Sequence, residues 1–299
     1  MNTLLTVQSL TKQYGREKVV KDVSFSLMKN TSTALIGPNG AGKTTTLSML
    51  TGLVNPTFGD IILKENKEDA RRMIGFLPQY PKFFSWLSAI EFTEMTAKLS
   101  GVDTRVALKE AEKILDFVGL GNVKKKKTGT FSGGMKQRLG LAQAIVHNPS
   151  LLLLDEPVSA LDPVGRREIL NLLKELQERT TILYSTHILN DAEEMTDQLL
   201  FLRNGELVEQ GSLSDVREKY ANPMIKIIFS LEEEAKVFAI SSPWNVKQKG
   251  SSVCIPIREN EPRMQEILAY ASLGDWTVQR IEKASANLEE IFMQVVNKQ

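Results

Sequence analysis

Residues 37–44 carry the pattern with the clearest chemistry, because they match the phosphate-binding loop G-x-x-x-x-G-K-[ST]. Glycines in such a loop allow a tight turn in which successive backbone N–H groups point at anionic oxygens. Lys43 is expected to bring a positive charge to the β- and γ-phosphates, and the hydroxyl of Thr44 is expected to bind Mg²⁺. The motif therefore predicts a nucleotide phosphate site before any other residue is considered.

A second group of residues suited to catalysis follows the apolar run 151–154. These consecutive leucines predict a buried strand, and Asp155 and Glu156 would lie at its carboxyl end, beside the phosphates. Asp155 is placed to hold Mg²⁺ through a water molecule, and Glu156 is placed to polarise the water that attacks the γ-phosphate. Together with the phosphate loop, the pair predicts hydrolysis of a nucleoside triphosphate.

The segment Ser132-Gly133-Gly134 begins a helical pattern. A serine and two glycines at such a start form another place where backbone N–H groups and the helix dipole favour an anion. On its own this signal is moderate. Its position between the phosphate loop and Asp155 makes it specific.

Short elements must position these residues. The apolar run 33–36 predicts a strand before the loop, and residues 45–50 predict a helix whose N-terminus faces the phosphates. The alternating segments 4–10 and 19–27 predict antiparallel strands, and a helical pattern covers about 89–118. Further predicted elements are strands at 61–63, 74–77 and 181–185, a helix at 166–179 and a hairpin over 198–210.

The character of the chain changes at the breaker Ala221-Asn222-Pro223. We therefore predict two domains: residues 1–221 form a nucleotide-binding domain with a helical subdomain over about 80–145, and residues 222–299 form a small α+β domain. The predicted elements of this second domain are strands at 224–229, 246–249, 252–258 and 276–281 and helices at 231–239, 263–272 and 288–296. It contains no cluster of chemically active residues.

Composition limits the classes of binding partner and the cellular compartment that we expect. The 299 residues carry a net charge of +1, which gives no global field that would require nucleic acid or anionic lipid. With one cysteine no internal disulfide can form, and a reducing cytosol is the expected compartment. The sequence predicts neither a signal peptide nor an apolar stretch near the ~18 residues that a bilayer span needs. We expect the protein to work at a membrane only by docking onto another subunit.

Taken in order, the motifs of residues 3–215 resemble those of the ATP-binding-cassette (ABC) ATPases. This resemblance implies that ATP is bound by the Walker A residues Gly37, Pro38, Asn39, Gly40, Ala41, Gly42, Lys43, Thr44 and Thr45 and stacks on Tyr14. Asp155 and Glu156 match Walker B and the catalytic glutamate, and Gln79 matches the Q-loop residue that contacts Mg²⁺ and the membrane subunit. The remaining matches are the signature motif (Ser132, Gly133 and Gly134), the D-loop over 159–162 with Asp162, and the switch histidine, His187. The other histidine, His147, has no such context.

The resemblance also implies a fold and an assembly. The expected fold is an α/β P-loop NTPase cassette, with a RecA-like core, an antiparallel β subdomain and a helical subdomain. Two cassettes would pair head to tail, each ATP lying between Walker A of one protomer and Ser132 of the other. The chain has a single phosphate loop, so a second chain, identical or paralogous, must supply the other half. Phe131 and Met135 replace the family's usual Leu and Gln around the signature glycines, which leaves the anion-binding part intact.

A separate membrane permease is the other implied partner, which places the protein on the cytoplasmic face of the cell membrane. Residues 80–90 follow Gln79 and are rich in aromatic side chains. Phe83, Phe84 and Trp86 either form a groove for a short helix of the permease or form the small core of the helical insert itself.

The segment 284–292 is similar to the endings of the bacterial exporter branch that confers resistance to drugs and peptide antibiotics. We therefore expect an export ATPase whose substrate is a drug, a peptide or a lipid-like molecule. The alternatives are an importer ATPase and a soluble ABC protein that acts on ribosomes or DNA. The single cassette and the short mixed α/β C-terminal segment disfavour both.

Overall fold

The computed structural model of the chain describes residues 3–64, 70–159, 161–220, 223–257, 261–284 and 288–297. Two compact units can be distinguished, Met1–Leu213 and Ser214–Gln299. The boundary that we predict at residues 221–222 falls outside the described residues. Each unit is described separately below.

The first unit consists of two sheets and a group of helices. In chain order its elements are β1 (Thr3–Tyr14), β2 (Glu17–Met28), β3 (Ser32–Ile36), α1 (Lys43–Leu50), β4 (Phe58–Leu63), β5 (Ile74–Leu77), α2 (Ala89–Leu99), α3 (Thr104–Phe117), α4 (Gly133–Ile145), β6 (Leu151–Asp155), α5 (Pro163–Gln177), β7 (Thr181–Thr186), α6 (Leu189–Met195), β8 (Gln198–Arg203) and β9 (Glu206–Ser212). The predicted strands and helices of this region are present, with bounds that differ by a few residues.

The larger sheet has the strand order β5-β6-β7-β3-β8-β9. The first five of these strands are parallel, and β9 pairs antiparallel with β8. Strands β3, β6 and β7 are buried along their whole length, which explains why apolar residues follow one another without alternation at 34–36, 151–154 and 182–184. Because parallel strands end at one edge, the loops that follow β3, β5, β6 and β7 meet there.

The smaller sheet is antiparallel, with the order β2-β1-β4. Its inward side chains, such as Val7 and Phe25, belong to one hydrophobic core with Leu35, Leu153 and Leu183 of the larger sheet. Ala41 of the phosphate loop and Leu47 of α1 also belong to this core, which anchors the loop and the helix that follows it.

The helices α2, α3 and α4 lie between β5 and β6 in the sequence and pack on one another. A capping box starts α2: the Ser88 hydroxyl accepts a hydrogen bond from Glu91 N, and the Glu91 carboxylate accepts one from Ser88 N. In α3, Ala107, Ala111 and Ile114 are buried on one face. This spacing of three or four residues is that of an amphipathic helix.

The second unit has its own sheet and core. Its elements are α7 (Leu213–Lys219, which begins at the last residue of the first unit), β10 (Met224–Phe229), α8 (Glu232–Ser241), β11 (Lys247–Lys249), β12 (Ser252–Pro256), α9 (Met264–Ala271), β13 (Val278–Ala284) and α10 (Leu288–Asn297). The strand order is β11-β12-β10-β13, and all neighbouring pairs are antiparallel. Ile227 and Phe229 of β10 pack with Phe238 of α8 and Ile267 of α9. Helix α7 is absent from our sequence prediction.

Within the described residues, no helix combines the length and hydrophobicity needed to cross a bilayer. The longest of them, α5, has 15 residues.

His147 has a structural contact in the first unit. Its Nε2 lies 3.3 Å from the carbonyl oxygen of Ile74, so Nε2 carries the proton and donates, because a carbonyl can only accept. Its Nδ1 is buried and has no partner among the described residues. Burial lowers the pKa of His147, since a charged imidazolium would lose its hydration there.

The free energy of unfolding should therefore depend on His147 in mild acid. The unfolded chain takes up this proton near pH 6.5, above the pKa of the folded state, so the stabilising contribution is present at higher pH and declines as pH falls through about 6.5. His147→Gln should give a flatter decline between pH 7 and 5, measured by urea unfolding. Val146→Ala is the control, because it should lower stability without changing the slope. An unchanged slope for His147→Gln would contradict the assignment.

Candidate functional site

The phosphate loop connects β3 to α1, and its backbone is shaped by glycine. Gly40 and Gly42 have φ values of 80° and 99°, a region that side chains other than glycine rarely adopt. Gly37 has a different reason to be glycine, because a Cβ there would lie 2.3 Å from the carbonyl oxygen of Leu202. The helix α1 begins directly after the loop, at Lys43, so its free N–H groups face the loop.

A cavity of about 290 Å³ lies over this loop. Nine sequence-predicted site residues line it, namely Asn39, Gly40, Ala41, Gly42, Lys43, Thr44, Thr45, Gln79 and Glu156. Val19 of β2 also lines the cavity, and our sequence analysis did not identify it. Nothing in its immediate sequence marks Val19, since it is one apolar residue of an alternating strand.

Lys43 is 6% exposed and lies among oxygen atoms. Its Nζ donates to the carbonyl oxygens of Gly37, at 2.7 Å, and Pro38, at 3.1 Å. It also lies 3.9 Å from Oε1 of Glu156. Burial lowers the pKa of Lys43, while the carboxylates of Glu156 and Asp155 act in the opposite direction.

The Glu156 carboxylate connects three segments of the chain. Its Oε1 lies 3.1 Å from Nδ1 of His187, after β7, and its Oε2 accepts a hydrogen bond of 3.1 Å from Nε2 of Gln79, after β5. With Lys43 these contacts bring four predicted site residues together at the carboxyl edge of the sheet. The His187 side chain is 48% exposed, whereas that of Glu156 is 10% exposed.

Asp155 is buried at the end of β6 and does not line the cavity. Its Oδ1 accepts a hydrogen bond of 2.6 Å from the hydroxyl of Ser185. Ser185 was not among the predicted site residues. Ser185 lies in the neighbouring strand β7, directly opposite Asp155, and this register is what marks it as part of the site.

The signature residues lie elsewhere in the first unit. Ser132 caps α4, with its hydroxyl accepting from Met135 N at 3.3 Å, and both Ser132 and Gly133 are exposed. Neither they nor Gly134 lines the cavity over the phosphate loop. Asp162 caps α5 in the same way, accepting from Gly165 N, and is exposed. The D-loop residue Ala160 lies outside the described residues.

Tyr14, the predicted adenine-stacking residue, lies at the end of β1 and is 51% exposed. It does not line the cavity, and Nζ of Lys12 lies 4.9 Å from its ring centroid. The face of the ring is therefore shared with a cation in this conformation.

The aromatic segment after Gln79 is divided between the core of the helical insert and the protein surface. Phe83 is half-buried and packs edge-on against Phe92 of α2, with ring centroids 5.1 Å apart, so it belongs to the core of the helical insert. Phe84 and Trp86 are 46% and 66% exposed. Next to them is a cavity of about 300 Å³ lined by Pro81, Lys82, Phe83, Ser85, Thr128, Gly129 and Lys136.

The donor set at the edge of the sheet suits Mg²⁺. Thr44 is exposed and lines the cavity beside Gln79, and Asp155 adds a carboxylate nearby. Among the described residues no group of three or more His, Cys, Asp or Glu is arranged to hold a metal ion. A site with few carboxylates fits Mg²⁺, which keeps several waters and takes other oxygens from substrate phosphates.

Comparison with known proteins decides the family. The family described as "ABC transporter" matches residues 20–159, and the one described as "ATP-binding protein DrrA1-3-like, C-terminal domain" matches residues 211–296. The chain is 41% identical to the uncharacterized ABC transporter ATP-binding protein YxlF of Bacillus subtilis, over 98% of this chain and 100% of the relative. The chain belongs to the ABC transporter ATP-binding proteins.

Two further ABC proteins extend the comparison. The bacitracin transport ATP-binding protein BcrA of Enterococcus faecalis is 38% identical, over 99% of this chain and 97% of that protein. A dimeric post-hydrolysis structure of an ATP-binding cassette bound to ADP and Pi has a TM-score of 0.64 and 27% identity, over 70% of this chain and 99% of that chain. The predicted cassette fold and the predicted enzyme class, an ABC-type ATP hydrolase, are confirmed.

The contacts of Lys43 predict the effect of removing it. Lys43→Ala should weaken ATP binding about tenfold to a hundredfold, because a charged hydrogen bond to phosphate contributes about 1.5–3 kcal/mol. The affinity for ATP is measured by isothermal titration calorimetry at low temperature. Thermal unfolding shows whether the variant folds. Lys64→Ala, an exposed lysine outside the cavity, is the matched control. Unchanged affinity in folded Lys43→Ala protein would exclude the phosphate role.

Proposed function

We propose that the protein is the ATP-hydrolysing subunit of an ABC exporter, with its hydrolytic residues at the carboxyl edge of the larger sheet. The observation that carries this proposal is the position of Glu156. Its carboxylate contacts Lys43, Gln79 and His187 and borders the cavity over the phosphate loop. A largely buried carboxylate in reach of a phosphate loop is the arrangement that a general base for hydrolysis requires.

Each residue has a distinct role in this proposal. The backbone N–H groups of residues 37–45, except Pro38, which has none, and the ammonium of Lys43 bind the phosphates of ATP. Glu156 orients the attacking water and accepts its proton, and His187 and Gln79 hold the Glu156 carboxylate in place. Thr44, Gln79 and Asp155 would hold Mg²⁺, which when bound neutralises charge on the phosphates.

Base recognition involves Tyr14 in this proposal. Its exposed ring offers a π-face for adenine, and stacking of this kind is worth about 1–3 kcal/mol. The ring would exchange its contact with Lys12 for the base.

A second cassette completes the site. Ser132 and Gly133 are exposed at the start of α4 and do not line the cavity of their own chain, so they are available to another protomer's ATP. The similarity to a dimeric cassette supports this arrangement. Asp162 is exposed and lies in the segment between β6 and α5 that begins with Glu156, which we call the hydrolytic loop, and it would lie at the same interface. The partner is a copy of this chain or a paralogue.

A membrane permease is the second partner, and it would dock on the surface formed by Phe84, Trp86, Lys82 and Lys136. Phe84 and Trp86 are exposed next to the 300 Å³ cavity that both lysines line. Neither lysine has a carboxylate partner among the described residues, so the surface favours an acidic segment with an apolar residue that fills the cavity. Docking there would hold the protein on the cytoplasmic face of the membrane.

The relatives support a direction of transport and a division of the chain into two functional parts. BcrA is named for bacitracin transport, and the C-terminal match is to a domain of DrrA1-3-like proteins. Both support export of a drug, a peptide or a lipid-like molecule. We assign nucleotide hydrolysis to residues 1–221 and a regulatory or assembly role to residues 222–299.

The role of Glu156 predicts a trapped dimer. Glu156→Gln should slow hydrolysis roughly 10²- to 10⁴-fold, because the amide cannot accept the proton from water. ATP would then persist between two protomers, and light scattering should show a dimer with Mg·ATP and a monomer without it. The double variant Lys43→Ala, Glu156→Gln is the control and should remain monomeric. Turnover close to wild type in Glu156→Gln would assign the base to another residue.

The docking surface gives a second test. Replacing Lys82 and Lys136 together by Glu should reduce the fraction of protein that sediments with membranes of the source cell, because two attractive charges become repulsive. Binding of ATP by the purified protein should remain within about twofold, since neither lysine lines the cavity over the phosphate loop. Lys64→Glu is the control for a charge change elsewhere. Full membrane association of the double variant would place the permease on another surface.

A further inference from the structure

Ser185 occupies a position between the two acidic residues of the hydrolytic site. It lies in β7, one strand over from β6, and pairs in register with Asp155. Ser185 is 0% exposed and Asp155 is 3% exposed, so water does not compete for their contacts. His187 follows two residues later along the same chain segment.

The hydroxyl of Ser185 makes two hydrogen bonds whose directions are fixed by chemistry. It donates its single proton to Oδ1 of Asp155, at 2.6 Å, because an ionised carboxylate only accepts. It accepts from the backbone N–H of Glu156, at 2.9 Å, because an N–H only donates. One side chain therefore satisfies a carboxylate oxygen and the neighbouring peptide group at the same time.

The backbone that Ser185 contacts is an unusual one. Glu156 has a φ of 46°, in the left-handed region that residues with a Cβ rarely adopt. The carbonyl oxygen of Glu156 is also held, by the N–H of Ser159 at 3.3 Å and its hydroxyl at 3.1 Å. The hydrogen bond to Ser185 thus fixes one side of a strained turn from which the Glu156 carboxylate projects towards Lys43.

We propose that Ser185 is a positioning residue for ATP hydrolysis, whose hydroxyl sets the Asp155 carboxylate and the Glu156 turn relative to each other. This inference rests on the roles proposed above for Asp155 and Glu156. Without the hydroxyl, a buried carboxylate oxygen and a buried N–H lose a partner, and both groups can turn away from the geometry that hydrolysis needs. A small displacement of a reacting group is enough to lower a rate by about a hundredfold.

A matched pair of variants isolates the hydroxyl. Ser185→Thr keeps the hydroxyl and adds a methyl group. Ser185→Val introduces a side chain with the shape of threonine but without the hydroxyl. Ser185→Val should lower kcat about tenfold to a hundredfold with KM for ATP within about threefold, since binding residues are untouched. Ser185→Thr should restore most of the kcat. Packing changes are common to both variants, so any further loss of thermal stability in Ser185→Val reports the two hydrogen bonds that only this variant lacks.

A second readout does not depend on turnover. In the Glu156→Gln background, binding of Mn²⁺ in the presence of ATP can be followed by electron paramagnetic resonance. Ser185→Val should weaken this binding about tenfold relative to Ser185→Thr, because the Asp155 carboxylate is no longer oriented. If the added methyl group prevents folding of both variants, the same comparison is made between Ser185→Ala, which adds no atoms, and wild type.

The outcomes separate this inference from the proposed function. Equal kcat and equal Mn²⁺ affinity in the Thr and Val variants would overturn the role of Ser185. Wild-type turnover in Glu156→Gln alone would instead overturn the role of Glu156, whatever Ser185 does. A loss of kcat confined to the variants without the hydroxyl supports the positioning role.

Discussion

The buried ammonium of Lys43 is the constraint on which the rest of the first unit depends. A charge that is 6% exposed is costly unless other groups compensate it, and here they are two backbone carbonyls and the carboxylate of Glu156. Lys43 follows β3, and Glu156 follows β6, with β7 between these strands. Only a parallel order brings the ends of all three strands to one edge, so the sheet topology is what allows the charge to be buried.

Part of the backbone of the site has a conformation that is unfavourable for an isolated residue. Glu156, with its positive φ, carries a cost of about 1–2 kcal/mol that hydrogen bonds from Ser159 and to Ser185 offset. The fully buried strands β6 and β7 anchor this turn, because burial on both faces leaves the strand ends little freedom. Rigid strands and a strained turn together fix the position of the Glu156 carboxylate.

The sequence predicts this site well where the chemistry lies within one short segment. The phosphate loop, the run 151–154 and the acids that follow it are local patterns, and the structure places them as these patterns suggest. Val19 and Ser185 could not be found in this way, because their importance arises from strands paired or packed far apart in the sequence. Helix α7 is short and follows a strand directly, so its periodicity gives little signal.

In the second unit the notable side chains serve packing, whereas in the first unit they form a polar site. Aromatic rings pack against its aliphatic core, with Phe238 and Trp276 centroids 5.2 Å apart and Trp244 and Tyr270 centroids 5.3 Å apart. Such aromatic packing stabilises a small sheet through buried apolar area. The chemistry of the protein is thus concentrated in the first unit.

Within that first unit the hydrolytic loop is also connected to the signature helix. The side-chain amide of Gln137, buried in α4, donates to the carbonyl oxygen of Pro157 at 2.8 Å. Ser132 at the start of α4 and Glu156 before Pro157 therefore belong to one hydrogen-bonded framework, although Ser132 does not line the cavity that Glu156 borders. In a head-to-tail pair, each protomer's own hydrolytic loop would support the serine that it presents to the other protomer's ATP. The buried Gln137 amide would then connect the Glu156 loop of each chain to the Ser132 that the same chain presents to its partner. This connection explains why a glutamine occupies an otherwise apolar face of α4.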